Sequence, residues 1–149
     1  MISVLSVITA TVVGLMVGVE FAVAFVVNPI VLRLPAGPSL EARAHGGRML
    51  GRAMPFWYIG SLILIAALTA LAWGTPSAAA SLVAAALLAV SIIMSVALLV
   101  PINNRSVTWT AEDHPADWRE QHQRWDRLHY ARVAVLVAAL VLVLVAVAR

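Results

Sequence analysis

The sequence predicts an all-α membrane protein built as a bundle of four transmembrane helices. Hydrophobic residues make up 62% of its 149 residues and charged residues only 11%, so the chain has too little polar surface to cover a water-soluble domain. Apolar runs at about 2–27, 54–73, 78–100 and 128–148 each reach the roughly 20 residues that a helix needs to cross a bilayer. We therefore expect one integral membrane domain, 1–149, with polar segments at 28–53 and 101–127.

The distribution of charge predicts the orientation of these helices. Every arginine except Arg149, and every histidine, falls within 28–53 or 101–132. With four spans, both stretches emerge on one side of the membrane, and the positive-inside rule assigns that side to the cytoplasm. We expect both termini outside and the last helix extended into the cytoplasm. A chain rich in Ala, Val and Arg that lacks lysine is typical of GC-rich bacterial genomes, which favours a bacterial cytoplasmic membrane.

Composition also excludes several kinds of site. The chain has no cysteine, which excludes disulfides, thiolate metal sites and cysteine nucleophiles. Its net charge is +3, yet arginines alternate with acidic residues and form no basic run, so we expect no nucleic-acid partner. The lipid bilayer is the expected partner, and any chemistry must use imidazole, carboxylate, amide or guanidinium groups.

A stripe of aromatic and basic side chains runs along the start of the last helix, which is predicted to begin at Pro115. Its members are spaced four, three, four and three residues apart, so they fall within an arc of about 80° on a helix: Trp118, His122, Trp125, His129 and Arg132. A packing face explains this pattern. A functional face explains it too, because imidazole and guanidinium groups are costly in an apolar seam.

Glu20 is the only carboxylate within a predicted span. It lies about 12 Å along the first helix from Asn28, on the cytoplasmic half. An unpaired charge at that depth costs about 2.5–3.5 kcal/mol, so Glu20 is expected to face the bundle and to pair with Arg132 or His129. Two interpretations remain open, a structural ion pair or a catalytic or metal-binding carboxylate.

Amides mark the predicted cytoplasmic ends of helices one and three. Asn28-Pro29 predicts the end of the first, and Pro101 followed by Asn103 and Asn104 the end of the third. These asparagines either cap the helices or present hydrogen-bonding groups to a ligand. A short interfacial helix over 39–52 is predicted between the first two spans, with Ser39 as its N-cap.

A metal site is a further possibility from the residues alone. Glu20, His45, His122 and His129 are the candidate ligands, a set suited to iron, copper or zinc. His122 and His129 are about 10 Å apart along one helix, too far to hold one ion without ligands from other helices. The sequence therefore predicts either no cofactor or a His and carboxylate metal site.

Small residues at four-residue spacing form a ridge along the first helix. They are Ala10, Gly14, Gly18 and Ala22. Such ridges permit close approach of helices. The ridge predicts either tight packing within the bundle or a homo-oligomer seam.

Two motifs and the four-span pattern resemble the DUF1772 family of anthrone oxygenase-like membrane proteins. One motif is Val100-Pro101-Ile102-Asn103-Asn104-Arg105, and the other is Trp125 followed by His129 and Arg132 at the start of the last span. The resemblance covers nearly the whole chain. On that resemblance Pro101, Asn103, Asn104, Trp125, His129 and Arg132 match family motif positions, whereas Glu20, His45 and His122 come from the residue analysis.

The resemblance implies an oxidoreductase, a monooxygenase that converts an apolar anthrone-like aromatic to a quinone with dioxygen. This chemistry needs a base, a group that stabilises an anion and a flat apolar slot. The residues that fit are His129 as the base with Glu20 orienting it, Arg132 with Asn103 or Asn104 at the oxyanion, and Trp118, Trp125 and Asn28 against the substrate. A metal enzyme with another substrate and a small non-catalytic membrane subunit or carrier remain the alternatives.

Overall fold

A computed structural model describes residues 2–148 of the chain, and Met1 and Arg149 lie outside it. Within that range the chain is helical with short connections and no strands, and four helices are long and apolar enough to cross a membrane. We label them α1 (2–32), α2 (Ala36–Leu71), α3 (76–106) and α4 (Trp118–Val147). The predicted fold class, an all-α bundle of four membrane helices, is confirmed. The side on which the termini lie stays a prediction.

The four helices pack in sequence order around one apolar core. Each helix contacts its sequence neighbours, and α4 closes the bundle against α1. The core lies toward the end where α2 meets α3, and its most buried side chains include Met16, Ile65, Leu88, Leu136 and Val143. At that end Thr69 Oγ1 donates to Ser81 Oγ at 2.9 Å, which ties α2 to α3. The opposite end, rich in arginine and histidine, is called the polar end below.

Both α1 and α3 widen into one π-helical turn near the polar end. The turns span Val23–Val27 and Ser95–Leu99, and Pro29 or Pro101 follows as the second residue after each turn. A proline lacks an N–H and its ring crowds the carbonyl four residues earlier, which falls within the π turn. The wider turn relieves that clash and lets the helix continue. The helix ends predicted at 27 and 100 are therefore wrong, because α1 continues to Leu32 and α3 to Ser106.

The second helix is one element of 36 residues, where the sequence predicted a separate interfacial helix. It follows Pro35, and Ser39 is a buried residue of its first turns rather than its cap. Glycines at 46, 47 and 51 do not interrupt it. Each glycine costs a helix about 1 kcal/mol, which the buried contacts of Leu40 and Ala44 on the same segment offset.

The last helix begins at Trp118, three residues later than predicted, and has 30 residues. The three residues before it form a turn in which the Trp118 amide donates to the Pro115 carbonyl. At 1.5 Å per residue α4 is about 45 Å long and α2 about 54 Å. Both exceed the roughly 30 Å apolar layer, and both carry their charged residues at the polar end.

Candidate active site at the polar end of the bundle

A cavity of about 440 Å³ lies within the polar end. This volume is within the range of about 300–1,000 Å³ that small-molecule sites occupy. All four helices line it, including both π turns. Helices α1, α2 and α3 contribute mainly apolar side chains, whereas α4 contributes only polar and aromatic ones: His122, Trp125, His129 and Arg132.

Glu20, His129 and Arg132 form a hydrogen-bonded cluster at the inner end of this cavity. Arg132 Nη2 donates to Glu20 Oε2 at 2.6 Å and to His129 Nδ1 at 2.9 Å. The second terminal nitrogen, Nη1, donates to Ser95 Oγ at 2.7 Å. Relative exposure is 4% for Glu20, 0% for His129 and 8% for Arg132. Charges buried this deeply require a partner, and Arg132 supplies it for Glu20.

The contact between Arg132 and His129 determines where the imidazole carries its proton. A guanidinium can only donate, so His129 Nδ1 accepts and has no hydrogen. Neutral His129 then carries its proton on Nε2, which lies 3.6 Å from Glu20 Oε2 and has no hydrogen-bond partner. His129 therefore presents an N–H donor, and the carboxylate beside it presents the lone pairs.

Tyr58, on α2, completes the surroundings of Glu20. Its hydroxyl donates to Glu20 Oε1 at 2.8 Å, and the Arg132 guanidinium carbon lies 5.8 Å from the centre of its ring. Each carboxylate oxygen thus has its own donor, Tyr58 on one and Arg132 on the other. Side chains from two other helices, α2 and α4, thus hold Glu20 in one orientation.

A second buried ion pair joins α2 and α4 nearer the polar surface. Arg43 donates to both carboxylate oxygens of Asp126, at 2.9 and 2.8 Å. Asn28 Nδ2 on α1 also donates to Asp126 Oδ1 at 3.0 Å. Two-point contact between guanidinium and carboxylate is both strong and directional. The network fixes three helices relative to one another, and His122 and His129 flank Asp126 on α4.

Several side chains of α4 bring unpaired polar atoms to the cavity. Within the described part of the chain, both ring nitrogens of His122, Nε1 of Trp125 and Nε2 of His129 are buried without a hydrogen-bond partner. Leaving such a group unpaired costs about 1–3 kcal/mol. Trp125 stacks on His129 with ring centroids 4.8 Å apart, so the free N–H groups lie along one aromatic wall. This wall is suited to a flat ligand that carries oxygen acceptors.

Asn103 of α3 packs against Gly47 of α2. A Cβ atom added to Gly47 would lie 2.8 Å from Asn103 Oδ1, so the amide keeps this position only beside a glycine and would have to turn away from any larger residue. Asn103 lines the cavity, and it is not a helix cap, because α3 continues to Ser106. Asn104, one position on, is exposed and does not line the cavity.

The remaining predicted site residues separate into two groups. Asn28 and Trp125 line the cavity, whereas Trp118 packs against the His122 ring at 5.7 Å and lies outside it. His45 is exposed and borders a different, shallow depression with Arg48 and Arg52.

The candidate metal ligands do not converge. Glu20 and His129 are adjacent, but His45 is on another surface, and no three His, Asp or Glu side chains among residues 2–148 are close enough to share an ion. The four candidate ligands thus do not lie together, and a bound metal or other cofactor stays a prediction of the sequence.

Sequence reasoning missed Tyr58, Arg43 and Asp126. Asp126 had a usable signal, because it lies four residues after His122 and three before His129, at the edge of the same helical stripe. Tyr58 lies in an apolar run that also contains Ser61 and Thr69, and nothing in the sequence distinguished it from them. No sequence pattern pointed to Arg43, because its partner Asp126 is 83 residues away in sequence.

A comparison with known protein families finds a match over more than half of the chain. The family model for anthrone oxygenase matches residues 49–142. The chain belongs to the anthrone oxygenase family. The matched segment contains Tyr58, Asn103 and the whole polar face of α4 from His122 to Arg132, whereas α1, with Glu20, precedes it.

No curated protein and no solved structure matches this anthrone oxygenase family member. Family membership supports a membrane oxidoreductase-like role and confirms the resemblance drawn from the two sequence motifs.

Proposed function

We propose that this anthrone oxygenase family member oxidises a planar, apolar aromatic ketone of the anthrone type with dioxygen. The observation that carries the proposal is the buried Glu20, Arg132 and His129 cluster at one end of a largely apolar cavity of about 440 Å³. A buried carboxylate next to two nitrogen donors is suited to removing a proton and holding the anion that results. The family to which the chain belongs supports the same reaction class.

The reaction converts the methylene carbon opposite the ketone into a second carbonyl. That carbon loses both hydrogens and gains one oxygen atom of dioxygen, and the other oxygen atom leaves as water. The four electrons taken from the carbon reduce one molecule of dioxygen completely. No external reductant is needed, and none of the steps requires a metal ion.

We assign proton removal to Glu20 rather than to His129, which was the base expected from the sequence. The Arg132 hydrogen bond occupies the Nδ1 lone pair of His129 and leaves an N–H on Nε2, so the neutral imidazole is a donor at the face nearest Glu20. The carbon anion formed by proton loss then reacts with dioxygen. His129 and Arg132 donate to the peroxide anion that this addition creates, and Glu20 returns the first proton to it. Loss of the second hydrogen of the same carbon as a proton then breaks the O–O bond and forms the second carbonyl. The hydroxide that leaves takes up this proton and becomes water.

The substrate ketone is opposite the reacting carbon and needs donors of its own. Asn103 and the unpaired Trp125 Nε1 are the lining groups suited to it. Asn103 is eight residues beyond Ser95 on α3, about 12 Å along the helix, and Ser95 contacts Arg132. The donors for the ketone and the donors for the reacting carbon thus lie at different depths in the cavity. A flat ring system with these two groups at opposite ends requires such a separation. Asn28 acts indirectly, by holding Asp126.

We place the polar end at the cytoplasmic face of a bacterial membrane. The arginines in the first half of α2 and at the start of α4 support this orientation through the positive-inside rule. The substrate would then be a lipophilic molecule dissolved in the bilayer.

The test is oxidation of anthrone by the protein purified in mild detergent, with oxygen uptake and quinone formation followed together. We expect one dioxygen consumed per quinone formed. Glu20→Gln is expected to lower the rate by about 10²–10⁴-fold, the range for loss of a general base. Glu41→Gln, at an exposed position of α2, is the matched control and is expected to retain the full rate.

Two results would contradict the proposal. One is a wild-type rate no higher than that of anthrone in protein-free detergent. The other is a folded Glu20→Gln protein as active as Glu41→Gln. An inactive wild type together with loss of folding in Glu20→Gln would favour the non-catalytic membrane subunit instead.

A further inference from the structure

The cavity is bordered on one side by apolar residues that are also exposed on the outside of the bundle. On α2 these are Pro55 and Ile59, one helical turn apart, and on α3 they are Val96 and Val100. Ile59 is 56% exposed, Val96 66% and Val100 43%. A side chain that both lines a cavity and faces the exterior lies at its opening. These four residues therefore mark a gap between α2 and α3.

Packing between α2 and α3 closes this gap at both of its ends, toward the polar surface and toward the core. Toward the polar surface, Asn103 lies against Gly47 so closely that a Cβ atom would be 2.8 Å from its oxygen. Toward the core, Ile65 on α2 and Leu88 on α3 are fully buried in the shared core. The opening is therefore a window of limited height, and its rim belongs to apolar runs that cross the membrane.

The backbone of both helices departs from regular geometry at the window. Val96 belongs to the π turn Ser95–Leu99 of α3, and Pro55 lies inside α2. A π turn displaces the residues after it around the helix axis, and an internal proline bends its helix. Either change separates helices that would otherwise pack side by side, as they do nearer the core.

We propose that this window between Pro55 and Ile59 of α2 and Val96 and Val100 of α3 admits a planar, apolar aromatic molecule sideways from the hydrocarbon layer. The inference rests on the proposed function for the class of molecule and adds the route and the residues that control it. A rim without polar groups requires no desolvation of protein as an apolar molecule passes. The same rim disfavours ions and other strongly hydrated molecules.

A window controls how fast a ligand exchanges, not how tightly it binds. Narrowing it raises the barrier for association and dissociation equally, because both pass through the same opening. The dissociation constant Kd therefore stays unchanged while both rates fall. A change in the cavity itself would alter Kd, which distinguishes the two.

The experiment measures binding of anthracene, which is fluorescent and has no methylene carbon to oxidise, to the protein in dodecyl maltoside micelles. Energy transfer from tryptophan to anthracene in a stopped-flow instrument gives the association rate, and a chase gives the dissociation rate. The test variant is Ile59→Phe/Val96→Phe. The control is Ile63→Phe/Ile93→Phe, at positions 63% and 65% exposed that do not line the cavity.

We expect both rates to fall by about tenfold or more in the test variant, equivalent to about 1.4 kcal/mol of added barrier, with Kd unchanged and the control like the wild type. Equal rates in test and control variants would overturn the window, and so would a wild type that binds no anthracene. Slowed exchange in a protein that does not oxidise anthrone would support the window and contradict the proposed function alone.

Discussion

Arg132 and Glu20, 112 residues apart in sequence, meet at 2.6 Å within the bundle and join its last helix to its first. The same guanidinium nitrogen also donates to His129. One side chain thus neutralises the buried carboxylate and determines which nitrogen of the imidazole is protonated. Fold stability and the proposed chemistry depend on the same contact.

Removing one member of this pair is expected to destabilise the protein more than removing both. Arg132→Met leaves Glu20 buried without its cation and is expected to cost about 3–5 kcal/mol. Glu20→Met/Arg132→Met replaces two charges by apolar side chains of similar length and is expected to recover most of that loss. Thermal unfolding in detergent measures both variants. A double variant less stable than Arg132→Met would contradict this account.

Two substitutions of His129 distinguish a role as hydrogen-bond donor from a role as base. His129→Gln keeps an N–H group near the position of Nε2 but cannot accept a proton, so we expect it to retain part of the oxidation rate. His129→Leu has no donor and is expected to lose about 10²–10³-fold, as for one oxyanion donor. Anthrone oxidation with both proteins is the measurement. Equally inactive Gln and Leu variants that are both folded would return the role of base to His129.

Removing the Tyr58 hydroxyl is expected to lower activity and stability together. Tyr58→Phe deletes one donor to the Glu20 carboxylate, and hydrogen bonds to charged groups contribute about 1.5–3 kcal/mol. Tyr130→Phe is the control, since Tyr130 packs against Phe25 with ring centroids 5.0 Å apart and lies outside the cavity. The measurements are thermal unfolding and anthrone oxidation of both variants, Tyr58→Phe and Tyr130→Phe. An effect of the same size at Tyr130 would mean that loss of any tyrosine hydroxyl perturbs the bundle.

Neighbouring glycines provide a paired test of the contact between α2 and α3. Gly47→Ala places a Cβ atom 2.8 Å from Asn103 Oδ1, so the amide must move, and we expect this variant to be about 1–3 kcal/mol less stable than Gly46→Ala, with reduced oxidation. Gly46→Ala meets nothing within 4 Å and is expected to stabilise the helix by about 0.5–1 kcal/mol. Thermal unfolding of the two variants, side by side, gives the difference. The opposite order would show that Asn103 is not held against Gly47.

The ridge of small residues on α1 divides between two environments. A Cβ on Gly14 would lie 4.0 Å from Leu140 of α4, whereas Gly18 has nothing within 4 Å and Ala22 is exposed. Packing within the bundle thus accounts for part of the ridge. A homo-oligomer through Ala10, Gly14, Gly18 and Ala22 stays a prediction.

Hydropathy and periodicity were enough to predict four membrane helices and to single out the face of α4 that lines the cavity. Both are local properties: an apolar run must be about 20 residues long to cross a bilayer, and side chains three or four residues apart share a face. The stripe from His122 to Arg132 does line the cavity, with Glu20 opposite it. Its first member, Trp118, does not, because the helix begins there and the cavity lies deeper.

Other features depend on distances between helices, which no local pattern encodes. The prolines at 29 and 101 were interpreted as helix ends because a regular helix cannot accommodate them, and a π turn is the response of the backbone inside a packed bundle. Arg43 meets Asp126, and Tyr58 meets Glu20, only through tertiary packing. Arg132 reaches His129 Nδ1 within its own helix, yet the formation of that hydrogen bond, and with it the assignment of Glu20 as the base, depends on how Glu20 and Ser95 position the guanidinium.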